Sequence, residues 1–350
     1  MADTLRVLNG VVIPTLAKGG VIKRRPIAEG FAQHHGLDTA AVKLLQDLRR
    51  KYGSGPLAVP ISLRPQLLIL DPKDAAKVLD ETPIPFGTET KEKRSVLSHF
   101  EPGNILISDA AGRDKLRPVH EEALTTNSRV RPFAERFQKV ISEELSDKES
   151  VVSRIAGHGK ELDIPSQVAH YLFAFGPAGM ATFRALALLG SHLEEQKKAA
   201  EEARNANNAD RPYSRAILLE SLRLWPTTPA ILRETTRDAE LGGKTVPKGT
   251  QAVIFAPFFH RDDERLEFAH KLSPERWLDT EVDVDNGLLP FSAGPGMCPA
   301  HNLVPMVASL AIEEIVRQAE VELVEPGLEK GDLRGTLDHF EIKLRLTKRA

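Results

Sequence analysis

The chain carries one cysteine, Cys298, and its setting constrains the fold more than any other feature. It sits in Phe291-Ser-Ala-Gly294-Pro-Gly-Met-Cys298-Pro-Ala-His-Asn-Leu303. Before it lies a loop holding Pro290 and Pro295; after it comes an apolar run, Leu303 to Ile312, that reads as a helix. A thiolate at the start of a helix is stabilised by the amide dipoles there. Gly294 lets the backbone approach a ligand closely, and Phe291 can pack over the ligand's face. One cysteine makes neither a multi-thiolate zinc cage nor a disulfide within the chain. Such a loop can present one sulfur to a large planar metal cofactor. Taken alone, it is equally compatible with the buried, inert thiol that a lone cysteine usually is.

Two further features follow a fixed order. Glu220 and Arg223 lie on an apolar helical segment, Ala216 to Leu224, that ends at Trp225-Pro226. Three residues apart, they share a helix face and can pair, which makes both charges tolerable in an interior. Ser273-Pro-Glu-Arg276-Trp277 then supplies another arginine shortly before the cysteine loop. Each feature by itself reads as a surface ion pair of little worth. Their succession ahead of Cys298 is what departs from that reading.

In this succession the chain resembles the cytochrome P-450 superfamily, the haem-thiolate monooxygenases, from about Leu57 to Val324. The residues that carry the resemblance are Phe291, Gly294 and Cys298, the Glu220/Arg223 pair, Pro274-Glu275-Arg276-Trp277, and Ala178-Gly179-Met180-Ala181-Thr182. The wording around His260-Arg261-Asp262 and Pro290 is closer to soluble bacterial members than to microsomal ones. The resemblance implies a mainly α fold with small β-sheets, in which Glu220, Arg223 and Arg276 hold the core together. It implies haem b (iron protoporphyrin IX) as cofactor, with Cys298 as axial iron ligand. Arg113, Arg117 and Arg233 become the expected partners of the haem propionates, since a planar guanidinium binds carboxylates in bidentate fashion. Thr182 becomes the distal hydroxyl that helps deliver protons, although a helical threonine can equally bond back to its own carbonyls.

Three departures from the family pattern bear on function. The basic residue that many members carry two before the cysteine is Gly296 here. The acid that usually precedes the distal threonine is Ala181, which leaves proton delivery to water, substrate or another group. The interval from Arg117 to Ala178 is short, and Ser146 to Pro165 leaves room only for short structure before the central helix.

Composition narrows the setting. With 350 residues and a formal charge of −2, the chain shows no nucleic-acid footprint. A single cysteine suggests a reducing compartment, hence a cytoplasmic protein. The apolar stretch Val7 to Ile22 is broken by Asn9, Pro14 and Lys18, and Ala169 to Gly190 contains His170, Pro177 and Arg184. Neither reads as a membrane span. The basic runs Lys23-Arg24-Arg25 and Lys91-Glu-Lys-Arg94 read as solvated loops or partner contacts.

Periodicity predicts helices over 43–52, 72–79, 114–124 (interrupted early by Pro118) and 132–145. It also predicts a central helix over 165–202, weakened midway by Pro177, and a helix from the cysteine loop to about Gln318. Strands are expected at 60–70, 230–236, 245–246, 251–255, 320–324 and 339–346. The organisation implied is one haem-binding domain over 1–350: small sheet and helix at 57–80, central helix, and cysteine loop with its helix at 285–318. The activity implied is insertion of one atom of O₂ into a small or medium hydrophobic organic substrate. Electrons would come from a separate ferredoxin or flavoprotein. Alternatives are a peroxide-driven or non-oxygenating haem-thiolate enzyme, and a haem-binding protein without turnover.

Overall fold

Caps and turn residues set most of the element boundaries. The computed structural model describes residues 2–19, 24–61, 64–99, 101–129, 134–143, 164–205, 210–278, 286–328, 331 and 333–349. The chain opens with α1 (Ala2–Val7), a π-helical turn (Leu8–Val12), α2 (Ile13–Ala17), α3 (Pro26–His34) and α4 (Leu37–Tyr52). Then come β1 (Leu57–Ile61), β2 (Arg64–Leu68), α5 (Pro72–Asp80), β3 (Phe86–Gly87), α6 (Lys91–Leu97), α7 (Ala110–Ala123) and α8 (Ala134–Glu143). The second half holds α9 (Ile164–Ser191), α10 (Leu193–Asn205), α11 (Pro212–Leu224), β4 (Ala230–Thr235), β5 (Ala239–Leu241), β6 (Lys244–Val246), β7 (Gln251–Phe255) and α12 (Ala256–His260). It closes with α13 (Leu303–Gln318), β8 (Ala319–Glu325) and β9 (Lys343–Lys348).

The caps follow from residue chemistry. Asp71 accepts from the Lys73 N–H ahead of Pro72, and Asp109 accepts from the Gly112 N–H, each satisfying a donor that the first helical turn leaves open. The β5–β6 hairpin turns on Gly242 and Gly243, with φ of +57° and +72°, the geometry that a two-residue turn demands.

A five-stranded sheet runs in the order β1-β2-β7-β4-β3. All its pairings are antiparallel except β2 with β7, where Gln66 faces Gln251. One core packs this sheet on α4 and α5, with Leu45, Leu48, Leu79, Ile254, Phe255 and Phe258 at its centre. A second core gathers α9, α10, α11 and α13 around Leu189, Ile217, Leu218, Trp277 and Ile312. The cysteine loop lies between them, with Ala293 in the first core and Phe291 packed against the second. No helix among the described residues is long and apolar enough to cross a membrane.

Several boundaries differ from the sequence expectation. The central helix over 165–202 is two helices that meet at His192. Ser191 Oγ donates to the Ala187 and Leu188 carbonyls at 2.9 and 3.1 Å, and His192 Nδ1 lies 2.9 Å from the Leu188 oxygen. Side chains thus occupy carbonyls of the last turn, a common way for a helix to end. Pro118 does not interrupt α7, nor Pro177 α9; both prolines sit within continuous helices. α4 begins at Leu37 rather than Lys43. Residues 2–17 are helical although the sequence led to no element there. Val7 and Val11 enter the first core, and a Cβ on Gly10 would stand 3.0 Å from Leu44 Cδ2. Packing on α4 therefore overrides the poor propensity of Asn9, Gly10 and Pro14. Residues 146–163 of the short interval lie outside the described residues.

Candidate functional site

The cysteine loop is held from within and from three sides. Its own backbone closes on itself: Cys298 N–H donates to the Phe291 carbonyl at 3.0 Å and Met297 N–H to that of Gly294 at 2.9 Å. Ser292 and Gly294 both adopt positive φ, +63° and +61°. At Gly294 a Cβ would stand 2.3 Å from the Leu79 carbonyl oxygen, so the close approach that requires glycine here is to the end of α5. After the cysteine, the Ala300 amide donates towards its sulfur, and His301 N–H donates to the Cys298 carbonyl at 3.1 Å. Burial pushes the Cys298 thiol up, while the Ala300 amide and the Arg117 charge act weakly in the other direction. Without a cation on the sulfur the thiol stays neutral; a bound metal ion would take it as thiolate.

Three arginines from distant elements converge on this loop. Arg113 of α7 donates to the Pro295 carbonyl at 2.8 Å, and Arg117, one turn on, donates to that of Met297 at 2.6 Å. Arg117 is also paired with Glu121 at 2.5 Å. Its charge is therefore partly spent, and its contact braces the loop backbone. Arg233 of β4 donates to Thr82 Oγ1 at 3.0 Å and to Ser292 Oγ at 3.4 Å. A Cβ on Gly296 would stand 2.3 Å from Arg233 Nη2. The guanidinium of Arg233 thus fills the space that a side chain two before the cysteine would take.

The charge balance here is unusual. Arg113 and Arg233 are 4% and 3% exposed, and among the described residues neither has a carboxylate within ion-pair distance. Both are lowered to about 10, first by burial and then by a neighbouring arginine. Lys93 of α6 joins them. It is half-buried as a residue, with its ammonium turned inward onto the Thr88 and Leu232 carbonyls at 2.7 and 3.2 Å. Burial, Arg233 and Arg113 hold it well below the usual lysine range, and Glu92 offsets them only in part. This corrects the expectation that Lys91-Glu-Lys-Arg94 is a solvated run, because α6 turns one of its basic residues inward. Arg24, in the other basic run, is likewise engaged, pairing with Glu29 at 3.0 Å.

On α9 the oxygen-groove residues lie along a partly open stretch. A Cβ on Gly179 would meet nothing within 4 Å, and Phe175 and Phe183 are 60% and 40% exposed. Thr182 Oγ1 donates to the Ala178 carbonyl at 2.8 Å, the back-bond open to a helical threonine, so its lone pairs remain as acceptors. Ala181 is 1% exposed and belongs to the second core, and its carbonyl accepts from Ser221 Oγ at 3.0 Å. Arg184 gives its donors to the Leu337 and Trp225 carbonyls.

Beneath the site, Glu220 and Arg223 form a bidentate pair at 2.7 and 2.8 Å, both 0% exposed. Trp277 Nε1 and the Ser273 amide donate to the remaining Glu220 positions, and Arg223 also reaches the His260, Ala269 and Lys271 carbonyls. Every part of this buried pair is hydrogen-bonded, which offsets its desolvation. Arg276 is exposed and stacks on Phe268, 3.5 Å from its centroid, so Trp277 rather than Arg276 completes the buried network. His260 Nε2 accepts from the Leu289 amide at 2.8 Å while Nδ1 faces the Arg223 carbonyl at 3.2 Å, which fixes a neutral imidazole. Burial foremost, and then Arg223, lowers His260 to about 3. Sequence reasoning passed over the structural role of His260 and the position of Lys93. His260 had a local signal in His-Arg-Asp, whereas Lys93 had none.

Comparison with known proteins points to one family. Residues 178–334 match the family model of the Cytochrome P450. Cyclooctat-9-en-7-ol 5-monooxygenase of Streptomyces melanosporofaciens is 36% identical over 172 residues, 45% of this chain and 38% of that protein. Drimenol monooxygenase of Persicaria hydropiper is 31% identical over 201 residues, 52% of this chain and 40% of that protein. The chain thus spans about two fifths of the length of these relatives. A zebra fish cytochrome P450 solved with abiraterone superposes with a TM-score of 0.65 at 17% identity, covering 88% of this chain and 100% of that one. CYP175A1 from Thermus thermophillus gives 0.62 at 17%, covering 89% and 96%. Over residues 178–334 the chain is similar to the cytochrome P450 family, and it shares the mainly α fold with small sheets of the solved cytochrome P450 structures.

This similarity implies a haem cofactor, and the residues present fit one. Haem needs one axial donor and partners for two carboxylates. Cys298 offers the only thiol in the chain. Arg113 and Arg233 offer buried charges with no described carboxylate within ion-pair distance, although Glu121 and Asp114 act on Arg113 from farther away. Among the described residues no group of three His, Cys, Asp or Glu side chains could hold a separate metal ion.

Proposed function

We propose that this chain is a haem-thiolate monooxygenase that inserts one atom of O₂ into a small or medium hydrophobic organic substrate. In this reading residues 1–350 form one haem-binding domain, the cofactor is haem b, and the protein works in the cytoplasm. A separate ferredoxin or flavoprotein supplies electrons. The observation that carries the reading is the cysteine loop: a single thiol, braced by three arginines, two of them buried without a carboxylate.

Bound haem would supply reductive activation of O₂, which an axial thiolate favours by pushing electron density onto iron. The chain's own residues do the rest. Cys298 would ligate the iron, its sulfur charge moderated by the Ala300 amide. Arg113 and Arg233 would hold the propionates, Arg117 fixes the loop through the Met297 carbonyl, and Phe291 and Gly294 shape it. Thr182 is the distal hydroxyl, able to pass a proton once it releases the Ala178 carbonyl. Ala181 faces the core and carries no acid, so water or substrate must resupply that proton and turnover is poorly coupled. Thr182→Ala should lower product formed per reduced nicotinamide consumed several-fold without changing haem content; an unchanged ratio removes Thr182 from the mechanism.

The peroxide-driven alternative would gain from an arginine free to bind a substrate carboxylate. Arg184 is not free, since its donors are committed to the Leu337 and Trp225 carbonyls. The deciding experiment is the absorption spectrum of the reduced, carbon-monoxide-bound protein beside that of Cys298→Ala. A thiolate-type Soret band present only with the cysteine supports the proposal; the same band in both proteins overturns it. Cyclooctat-9-en-7-ol and drimenol, for which two relatives are named, are the first compounds to screen for a spin-state change followed by product.

A further inference from the structure

We infer that Lys93 is a third anchoring cation for the haem carboxylates, standing in for the basic residue that the cysteine loop lacks at Gly296. The inference rests on the haem-thiolate reading and deepens it at the carboxylate end of the same site. Its basis is a chain of shared acceptors. Lys93 Nζ donates to the Leu232 carbonyl at 3.2 Å, and Arg233 Nη1 donates to the same oxygen at 3.0 Å. Their nitrogens therefore lie no more than about 6 Å apart. On its other side Lys93 donates to the Thr88 carbonyl at 2.7 Å, while Arg113 Nη1 reaches Thr88 Oγ1 at 3.5 Å. Two residues thus gather three cations from α6, α7 and β4.

The gathering is costly unless something negative joins it. Like charges this close repel even when solvent and protein screen them, and burial penalises each separately. Lys93 makes no ion pair among the described residues, and its two acceptors are neutral carbonyls. An ammonium has three donors, so one remains to be filled. Haem presents two carboxylates, and Arg113 and Arg233 have already given part of their donors to loop and strand backbone. Gly296 explains why the task falls to α6. Arg233 already occupies the space beside that glycine, so a basic side chain there would displace it.

The test compares iron protoporphyrin IX with its dimethyl ester, which has the same ring and no carboxylate charge. Full-length wild type, Lys93→Met, Lys93→Gln and Lys93→Arg are loaded with each porphyrin. The rate of transfer to excess apomyoglobin is then followed in the Soret band. Lys93→Met should lose native haem about tenfold faster than wild type and lose the ester at the wild-type rate, with Lys93→Arg within about threefold of wild type on both. Lys93→Gln gives the same readout if the methionine variant does not fold. An equal acceleration for both porphyrins means that Lys93 only supports the fold, and unchanged loss of native haem means that it does not touch the carboxylates; either result overturns the inference. In both cases a thiolate-type spectrum in wild type would leave the proposed function standing. Failure of wild type to bind haem would overturn both together.

Discussion

Arg223 and Arg233 are close in sequence, both buried, and opposite in their accounts of charge. Arg223 is completed by the protein: a bidentate carboxylate, three backbone carbonyls, and a carboxylate partner itself held by Trp277 and Ser273. Arg233 meets two hydroxyls and a carbonyl, with Arg113 and Lys93 as neighbours. At about 6 Å and an effective dielectric of ~20, two unit charges repel by about 3 kcal/mol. The first arrangement is finished by folding, whereas the second, in the proposed reading, is left for a ligand to finish. A fold that keeps buried like charges together is storing affinity for an anion, and the cysteine loop lies against that store.

The contrast can be broken most severely at Arg223. Arg223→Ala leaves Glu220 charged and buried, which should cost about 3–5 kcal/mol and abolish haem binding through loss of the fold. Urea denaturation of the haem-free protein measures this, and a variant with wild-type stability would erase the distinction. Arg233→Met should act the other way round. Haem loss should accelerate at least tenfold, while the stability of the haem-free protein stays within about 1 kcal/mol of wild type or rises, because a repulsion is removed. A large drop in haem-free stability would show Arg233 to be structural like Arg223.

His260 sharpens the same comparison by pH. Its pKa falls from 6.5 in the unfolded chain to about 3 in the folded one, so the unfolded state binds the proton first as pH falls. Its contribution is fully present above about 6.5 and is lost progressively down to about 3, approaching 1.4 kcal/mol per pH unit for this proton. His260→Gln should flatten the slope of unfolding free energy between pH 6 and pH 4 by about that amount, and an unchanged slope would place the titration elsewhere. Arg276 should matter least. Exposed and stacked on Phe268, it is worth about 0.5–1 kcal/mol, and Arg276→Ala should keep its haem, as Soret absorbance per protein would show.

Local pattern made part of this molecule legible. The short apolar run of Gln251 to Phe255, the apolar face of Leu303 to Gln318 and the spacing of Glu220 and Arg223 all correspond to elements or contacts in the structure. Expectations failed where a distant contact or a nearby side-chain-to-backbone bond overrode the signal read from the sequence. Propensity argued against helix at residues 2–17, but Val7 and Val11 found a surface on α4. Apolar content carried the central helix past Ser191, but side chains took its carbonyls and ended it at His192. Prolines 118 and 177 suggested weakness in helices that continue through them.

The sequence by itself determined where a thiolate ligand could come from, because the chain holds one cysteine. It also determined the buried ion pair, since three residues along a helix are neighbours whatever the fold. Tertiary structure alone decided that Arg233 fills the space beside Gly296, that Arg117 is spent on Glu121 and the loop, and that Lys93 turns inward. Those outcomes join α6, α7, β4 and the cysteine loop across long stretches of chain. Electrostatic energy depends on distance in space, and no local pattern records which distant cations folding will bring within a few ångströms of one another.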